Sequence, residues 1–288
     1  MPKNISYKKL LEGVEEVIKR GEYPNFLKMI NRIQNNYSFR NTLLVYSQFP
    51  YATCVKGFCD WKKHGRGVKK LNHKIYIYVP IKKKKTSELE GQQTVEGKEI
   101  KEKEQSSKRE LIGDIWYLRR QVYDIRDTYA LKGTKRIPFI DIEIESNKTD
   151  DLFERLVNIS PVPIRYAHIS SGAKGYYSPK NHEIVLQEDL SQDDKTHILI
   201  HELCHCLYDD FNYKNERYKS ETFVESVSFL VADHFGLDLK TYSFEYIVAW
   251  IQDDINEFLK LTDKIEKVSK NYINLIEQNE FKQEKISA

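Results

Sequence analysis

Two histidines four residues apart enclose a glutamate in His201-Glu202-Leu203-Cys204-His205, and no other part of the sequence is better suited to chemistry. On an α-helix, positions i and i+4 stand one above the other, so both imidazoles can turn a nitrogen toward one ion with Glu202 beside it. Zinc in a catalytic site takes three protein ligands and keeps a fourth position for water, whose pKa falls to about 7, so a neighbouring carboxylate can accept its proton. His201 and His205 are therefore candidate ligands, and Glu202 is the candidate base. The segment is otherwise apolar, and burying two histidines and a glutamate there is costly without an ion. Two imidazoles and a carboxylate suit Zn2+ best among divalent ions.

The third ligand is sought in Glu221-Thr222-Phe223-Val224-Glu225. Two carboxylates at i and i+4 share a helix face. In the gluzincin arrangement the first binds zinc and the second orients a ligand histidine, which assigns Glu221 to the metal and Glu225 to the shell around it. The reverse assignment stays open, because Glu221 lies sixteen residues beyond His205 and Glu225 twenty, and both loops can reach. A solvated acidic face is the competing, less favoured explanation of the pair. His197, one turn before His201, falls on the same face and reads as a helix-surface residue or an outer-shell group. Cys204 and Cys206 read as packing.

These residues need two helices and a strand to hold them. Ser191-Gln192-Asp193-Asp194 is an N-cap signature for a helix running through Ile198, Leu199, Leu203 and Leu207. A second helix is expected from about Ser220 to His234, stopped by Gly236. Residues 175–178 and 182–186 flank Pro179-Lys180-Asn181 as a β-hairpin, and Tyr176 and Tyr177 fall on an edge strand that could pair an extended peptide. Asp151 to Val157 reads as a helix, and Phe244 to about Phe281 as one or two covering helices.

The front of the chain differs in composition. Residues 1–81 hold fifteen Lys and Arg against five Asp and Glu, a charge of +10, whereas residues 145–288 sum to −10 within a net charge of +3. A basic front half suggests a polyanionic partner, and the acidic rear argues against one nucleic-acid surface spanning the whole chain. The apolar spacing of residues 5–34 predicts two amphipathic helices broken near Gly21 and Pro24. Ile75 to Val79 alternates as a strand, and Ile115–Leu118 and Gln121–Ile125 read as strands that rejoin it. Between them, residues 82–110 contain sixteen charged residues and no aromatic, the composition of a mobile insert. Aromatic residues interleave with Lys56, Lys62, Lys63, Arg66, Lys69 and Lys70, the ingredients of single-strand binding, with Trp61 either a stacking face or core.

No uncharged run approaches the length of a membrane span, and the start lacks the apolar core of a signal peptide, so the expected compartment is the cytoplasm. The four cysteines form no Cys-x-x-Cys pair and read as reduced thiols.

Several segments together resemble a known family. Residues 176–186, the His-Glu-Leu-Cys-His segment, residues 221–229, Phe235-Gly236-Leu237 and Tyr246 to Trp250 are similar to successive landmarks of the ImmA/IrrE-type metallopeptidase domain in ArdC-type antirestriction proteins. Ser38-Phe39-Arg40-Asn41, Gly57 to Trp61, Gly65 to Lys70 and Val122-Tyr123-Asp124-Ile125 resemble the N-terminal domain of the same family. Where that family usually has a Gly-Glu pair before the strand, this chain has Leu71-Asn72-His73. The resemblance implies a single-stranded-DNA-binding front domain and a zincin-like rear domain, carried on mobile elements.

The expected architecture is therefore α+β in two domains. Residues 1–144 form an ArdC-like α+β domain that binds single-stranded DNA through Lys56, Trp61, Lys62, Lys63, Arg66, Lys69 and Lys70, with 82–110 as its insert. Residues 145–288 form a mostly helical, zincin-like metallopeptidase domain with a small β-sheet. The expected function is zinc-dependent hydrolysis of an unidentified protein or peptide, in the setting of antirestriction. The competing expectation is a non-catalytic single-stranded-DNA-binding protein whose metal site is structural or vestigial.

Overall fold

The two amphipathic helices at the start of the chain are α1 (Tyr7–Lys19) and α2 (Tyr23–Arg32). Gly21 separates them at φ +69°, a left-handed conformation that glycine adopts without a Cβ penalty. Pro24 does not break the chain; it stands in the first turn of α2, where a missing N–H costs no helical hydrogen bond. There follow α3 (Phe39–Gln48), β1 (Val55–Gly57), α4 (Phe58–Lys63), β2 (Arg66–Val68), β3 (Ile75–Pro80), β4 (Arg109–Ile112), β5 (Ile115–Asp124) and, after a 3-10 turn, β6 (Thr128–Ala130). The rear of the chain supplies α5 (Leu152–Ile159), β7 (Ile164–Ala167), β8 (Gly175–Ser178), β9 (Glu183–Gln187), α6 (Gln192–Tyr208), α7 (Tyr213–His234) and α8 (Ile255–Glu284).

The computed structural model describes residues 7–32, 37–70, 73–80, 109–112, 115–132, 151–240, 242, 244 and 255–284. Most of the expected charged insert (82–108), the Leu71-Asn72 pair, the boundary expected near 145 and the Tyr246–Trp250 segment lie outside them. The last two residues of that insert, Arg109 and Glu110, belong to β4. Among the described residues no helix is long and apolar enough to cross a membrane.

The chain forms two compact units, and they do not divide at residue 145. One unit holds residues 1–7 and 54–136, the other residues 8–53 and 137–288. The expectation of a single front domain over residues 1–144 is corrected accordingly: α1 to α3 belong with the rear of the chain. The reason is an aromatic core. Tyr23 is buried with its hydroxyl 3.1 Å from Ser226 Oγ on α7, and its ring meets Phe258 of α8 edge-on. The Asn31 amide donates to the Leu230 carbonyl at 2.9 Å, and the Phe39 N–H donates to the Glu266 carboxylate at 2.7 Å. The charge contrast persists across this division. Residues 1–7 and 54–136 carry 23 Lys and Arg against 11 Asp and Glu, and the rest of the chain 23 against 32.

In the basic unit, the two expected strands near residue 120 are one strand, β5, and it pairs antiparallel with β3 as expected. Val122 faces both Gly57 and Ile75, and Leu118 faces both Val79 and Arg109, so β3 lies along one edge of β5 while β1 and β4 share the other. Val55, Trp61, Ile75, Ile77 and Val122 fill the core. A separate ribbon pairs β2 with β6. In the acidic unit, β9 lies between β7, parallel to it, and β8, antiparallel to it, which confirms the 175–186 hairpin and leaves β8 at an edge. α6 packs against this sheet, α5 and α7.

Candidate metal centre

α6 starts where the sequence places it, with Ser191 Oγ accepting the Asp194 amide at 3.1 Å. Leu199, Ile200, Leu203 and Cys204 are wholly buried, which fixes the rotation of the helix and leaves His201 and His205 part-exposed on its other side. α7 begins earlier than expected, at Tyr213, with a non-helical residue at Glu216 that breaks its line. Phe223, Val224 and Val227 anchor it in the core, so Glu221 and Glu225 face α6. The helix ends as predicted: Gly236 takes φ +78° and the Leu237 amide donates back to the Ala232 carbonyl at 2.9 Å.

Glu221 Oε2 stands 3.7 Å from His201 Nε2 and 3.9 Å from His205 Nε2. Among the described residues these three form the one group of histidine, cysteine or carboxylate donors with every donor atom within 4.8 Å of the others. A tetrahedral zinc with bonds of about 2.0–2.1 Å would hold its donors about 3.3 Å apart, so the observed separations are a few tenths of an ångström wide of a fitted site. Glu225 is not in the group. Its carboxylate lies 3.2 Å from the opposite ring nitrogen, His201 Nδ1, where it can fix the tautomer that presents Nε2 inward.

His205 is held the same way by a residue that the sequence reading missed. Asp209 Oδ2 lies 2.7 Å from His205 Nδ1, and the same oxygen accepts the Ser220 hydroxyl at 2.5 Å. Burial would raise the Asp209 pKa, but the hydrogen bonds from His205, Ser220 and the Phe211 amide outweigh it and hold the carboxyl below its ordinary value. The i+4 spacing from His205 to Asp209 is the signal that could have found it. Glu221 has a comparable support: Tyr213 donates its hydroxyl to Oε1 at 2.6 Å, leaving Oε2 for the histidines. Tyr213 lies across the break at Glu216, and no helical spacing connects it to Glu221.

The charges reinforce one another. Burial opposes the charged form of His201, but Glu221 and Glu225 outweigh it and raise the pKa to about 10. Burial likewise opposes the Glu221 carboxylate, yet His201 and Tyr213 bring its pKa down to about 2. Because Asp209 fixes the His205 ring from behind, Asp209→Asn is expected to weaken metal binding by about 10–100-fold while leaving the stoichiometry at saturation unchanged, as read by chelator competition.

Glu202 points to the edge strand: its Oε2 accepts the Tyr177 amide at 2.8 Å. Just before β8 the Lys174 carbonyl accepts the Gln187 amide of β9, so by alternation the amides of Gly175 and Tyr177 point away from the sheet. A cavity of about 280 Å³ opens beside this edge, lined by Gly175, His197, Ile198, His201, Glu202 and Tyr242 among others. His197 lies outside the donor group; its Nδ1 is 3.4 Å from the Tyr242 hydroxyl, and burial lowers its pKa.

The candidate nucleic-acid residues fall in the basic unit. Lys62, Lys63, Lys69 and Lys70 are exposed, and Lys56 and Arg66 are half-buried. Lys63 pairs with Asp60 at 3.2 Å, Arg66 Nε donates to Thr128 Oγ1 at 2.6 Å, and Lys69 Nζ donates to the Arg126 carbonyl at 2.8 Å. Trp61 is the exception. It is wholly buried and donates its indole N–H to the Tyr123 carbonyl at 2.8 Å, so it is a core residue and offers no face to a base.

No model of a protein family matches this sequence. The uncharacterized Bacillus anthracis protein pXO2-81 is 24% identical over 291 residues, covering 89% of this chain and 47% of that protein. The chain thus spans about half the length of the curated relative it matches. Among solved structures, the metal-free crystal structure of the antirestriction protein ArdC from the R388 plasmid superposes with a TM-score of 0.55 at 14% identity, covering 95% of this chain and 97% of ArdC. The Mn(II)-bound structure of ArdC gives a TM-score of 0.51 at 14% identity, covering 92% and 97%. The mixed helical and sheet fold of this chain is thus similar to that of ArdC.

Proposed function

We propose that the chain is a metallopeptidase-like antirestriction protein that acts in the cytoplasm, with a metal centre in its acidic unit and a single-stranded-DNA-binding surface on its basic one. The observation that carries the enzymatic part is the convergence of His201 Nε2, His205 Nε2 and Glu221 Oε2 beside the Glu202 carboxylate. The Mn(II)-bound state of ArdC supports a divalent ion, and the donor set of this chain favours zinc. Bound there, the ion would polarise a peptide carbonyl and acidify a water. Glu202, steadied at Oε2 by the Tyr177 amide, takes the water proton on its other oxygen and delivers it to the leaving amine. An extended peptide lies along the β8 edge, where the Gly175 backbone points outward.

Metal content by elemental analysis tests this reading, on protein purified without chelator or metal-affinity tag. One zinc per chain in the wild type, lost in Glu221→Ala and retained in Glu225→Ala, is the expected result. Retention in Glu221→Ala with loss in Glu225→Ala would exchange the two roles, and a metal-free wild type would overturn the proposal. A second reading is favoured by the charge of the basic unit, 23 cations against 11 anions. In it, protection follows from coating DNA, and the metal site is structural or vestigial.

A further inference from the structure

We propose that the β2–β6 ribbon is a base-stacking platform for single-stranded nucleic acid, with Tyr129 as its aromatic face. The inference rests on the nucleic-acid reading above and supplies the stacking residue that Trp61, being buried, does not.

The ribbon is longer than its strands. The Lys69 amide donates to the Asp127 carbonyl at 2.9 Å and the Leu131 amide to the Gly65 carbonyl at 2.8 Å, which extends the Arg66–Val68 pairing at both ends. Alternation then puts Gly65, Gly67 and Lys69 of one strand on the same face as Asp127, Tyr129 and Leu131 of the other. Two of the three positions facing the aromatic strand have no side chain. Tyr129 is paired directly with Gly67, and a Cβ added to Gly67 would fall 2.5 Å from Tyr129 Cζ, so the ring lies across the glycine backbone. Its other side is open: Tyr129 is 50% exposed.

Covering a bare glycine accounts for the position of the ring but not for its half-exposed outer face, which shares one side of the ribbon with Lys69 and with Asp127, the latter paired to His73. Lys69 and Lys70 leave the end of β2, and Lys62 and Lys63 come from α4, which packs on β2. Phe58, at the start of α4, is a second exposed aromatic at 53%. A ligand that satisfies both features must carry phosphates for the lysines and unpaired planar faces for the ring. A single strand offers both, whereas in a duplex the base faces are stacked on one another and only the phosphates are available.

The test is fluorescence anisotropy of a labelled oligothymidylate titrated with the 288-residue chain at several salt concentrations, with a duplex of equal length as control. Tyr129→Ala should weaken single-strand binding about tenfold at fixed salt, the equivalent of about 1.4 kcal/mol, and leave the salt slope unchanged. Lys70→Gln should instead flatten the slope by about 0.7. Tyr129→Leu keeps an apolar cover over Gly67 without a π face and should bind as weakly as Tyr129→Ala, which guards against loss of the fold. Wild-type affinity in Tyr129→Leu, or equal weakening toward single strand and duplex, would overturn the platform alone. Failure of the wild type to bind the oligonucleotide would overturn the nucleic-acid reading itself.

Discussion

Glu202→Gln is expected to keep its metal and its fold while losing peptide hydrolysis by about 10²–10⁴-fold, the span usually supplied by a positioned general base. The substitution is nearly isosteric, and an amide oxygen can still accept the Tyr177 N–H that now reaches Oε2 at 2.8 Å. What it removes is the ability to take a proton. Parallel elemental analysis and cleavage of a peptide mixture, analysed by mass spectrometry, measure the two properties independently. A Glu202→Gln protein that sheds its metal or unfolds would show that the carboxylate is structural, and full cleavage by the variant would remove it from the chemistry.

His205→Ala should abolish metal binding outright, since it removes one of three donors and leaves Asp209 with Ser220 and the Phe211 amide but no ring to orient. With zinc at 1,000 times its Kd, the wild type should gain about 4.1 kcal/mol of stability, and a His205→Ala melting temperature should not respond to zinc. The affinity of the wild type should also depend on pH in a defined direction. Without metal, His201 holds its proton up to about pH 10, because Glu221 and Glu225 outweigh the effect of burial. Only the neutral imidazole can bind an ion, so affinity should climb by up to tenfold per pH unit through the neutral range and level off above pH 10. Calorimetric titration in buffers of different ionisation enthalpy would reveal the released proton; a pH-independent affinity would contradict the ion pairs described for His201.

Those ion pairs were half legible in the sequence. Helical periodicity puts His201 with His205, and Glu221 with Glu225, because both pairs lie within a helix, and capping signals at Ser191 and Gly236 fix where the helices begin and end. The distribution of roles between the two glutamates is not periodic information. It depends on how α7 is rotated against α6, which Phe223, Val224 and Val227 decide by burial. Tyr213 was hidden by the break at Glu216, and Trp61 was ambiguous because an indole suits a core and a stacking surface equally well until its N–H partner is known. The assignment of α1 to α3 failed for a different reason. Both parts of the first 81 residues are basic, +4 over 1–53 and +6 over 54–81, so the sign of the charge does not separate them. The burial of Tyr23 and Phe39 depends instead on partners some two hundred positions away.

That separation matters to a chain emerging from a ribosome. Tyr23 meets Ser226 across 203 positions and Phe39 meets Glu266 across 227, so at about 5–20 residues per second the first three helices wait roughly 10–45 s for their partners. Residues 54–136, which share their unit with residues 1–7, are all synthesised within that interval. The middle of the chain is thus made before the partners of α1 to α3, and Tyr23 stays without Ser226 and Phe258, open to chaperones, until α7 and α8 emerge.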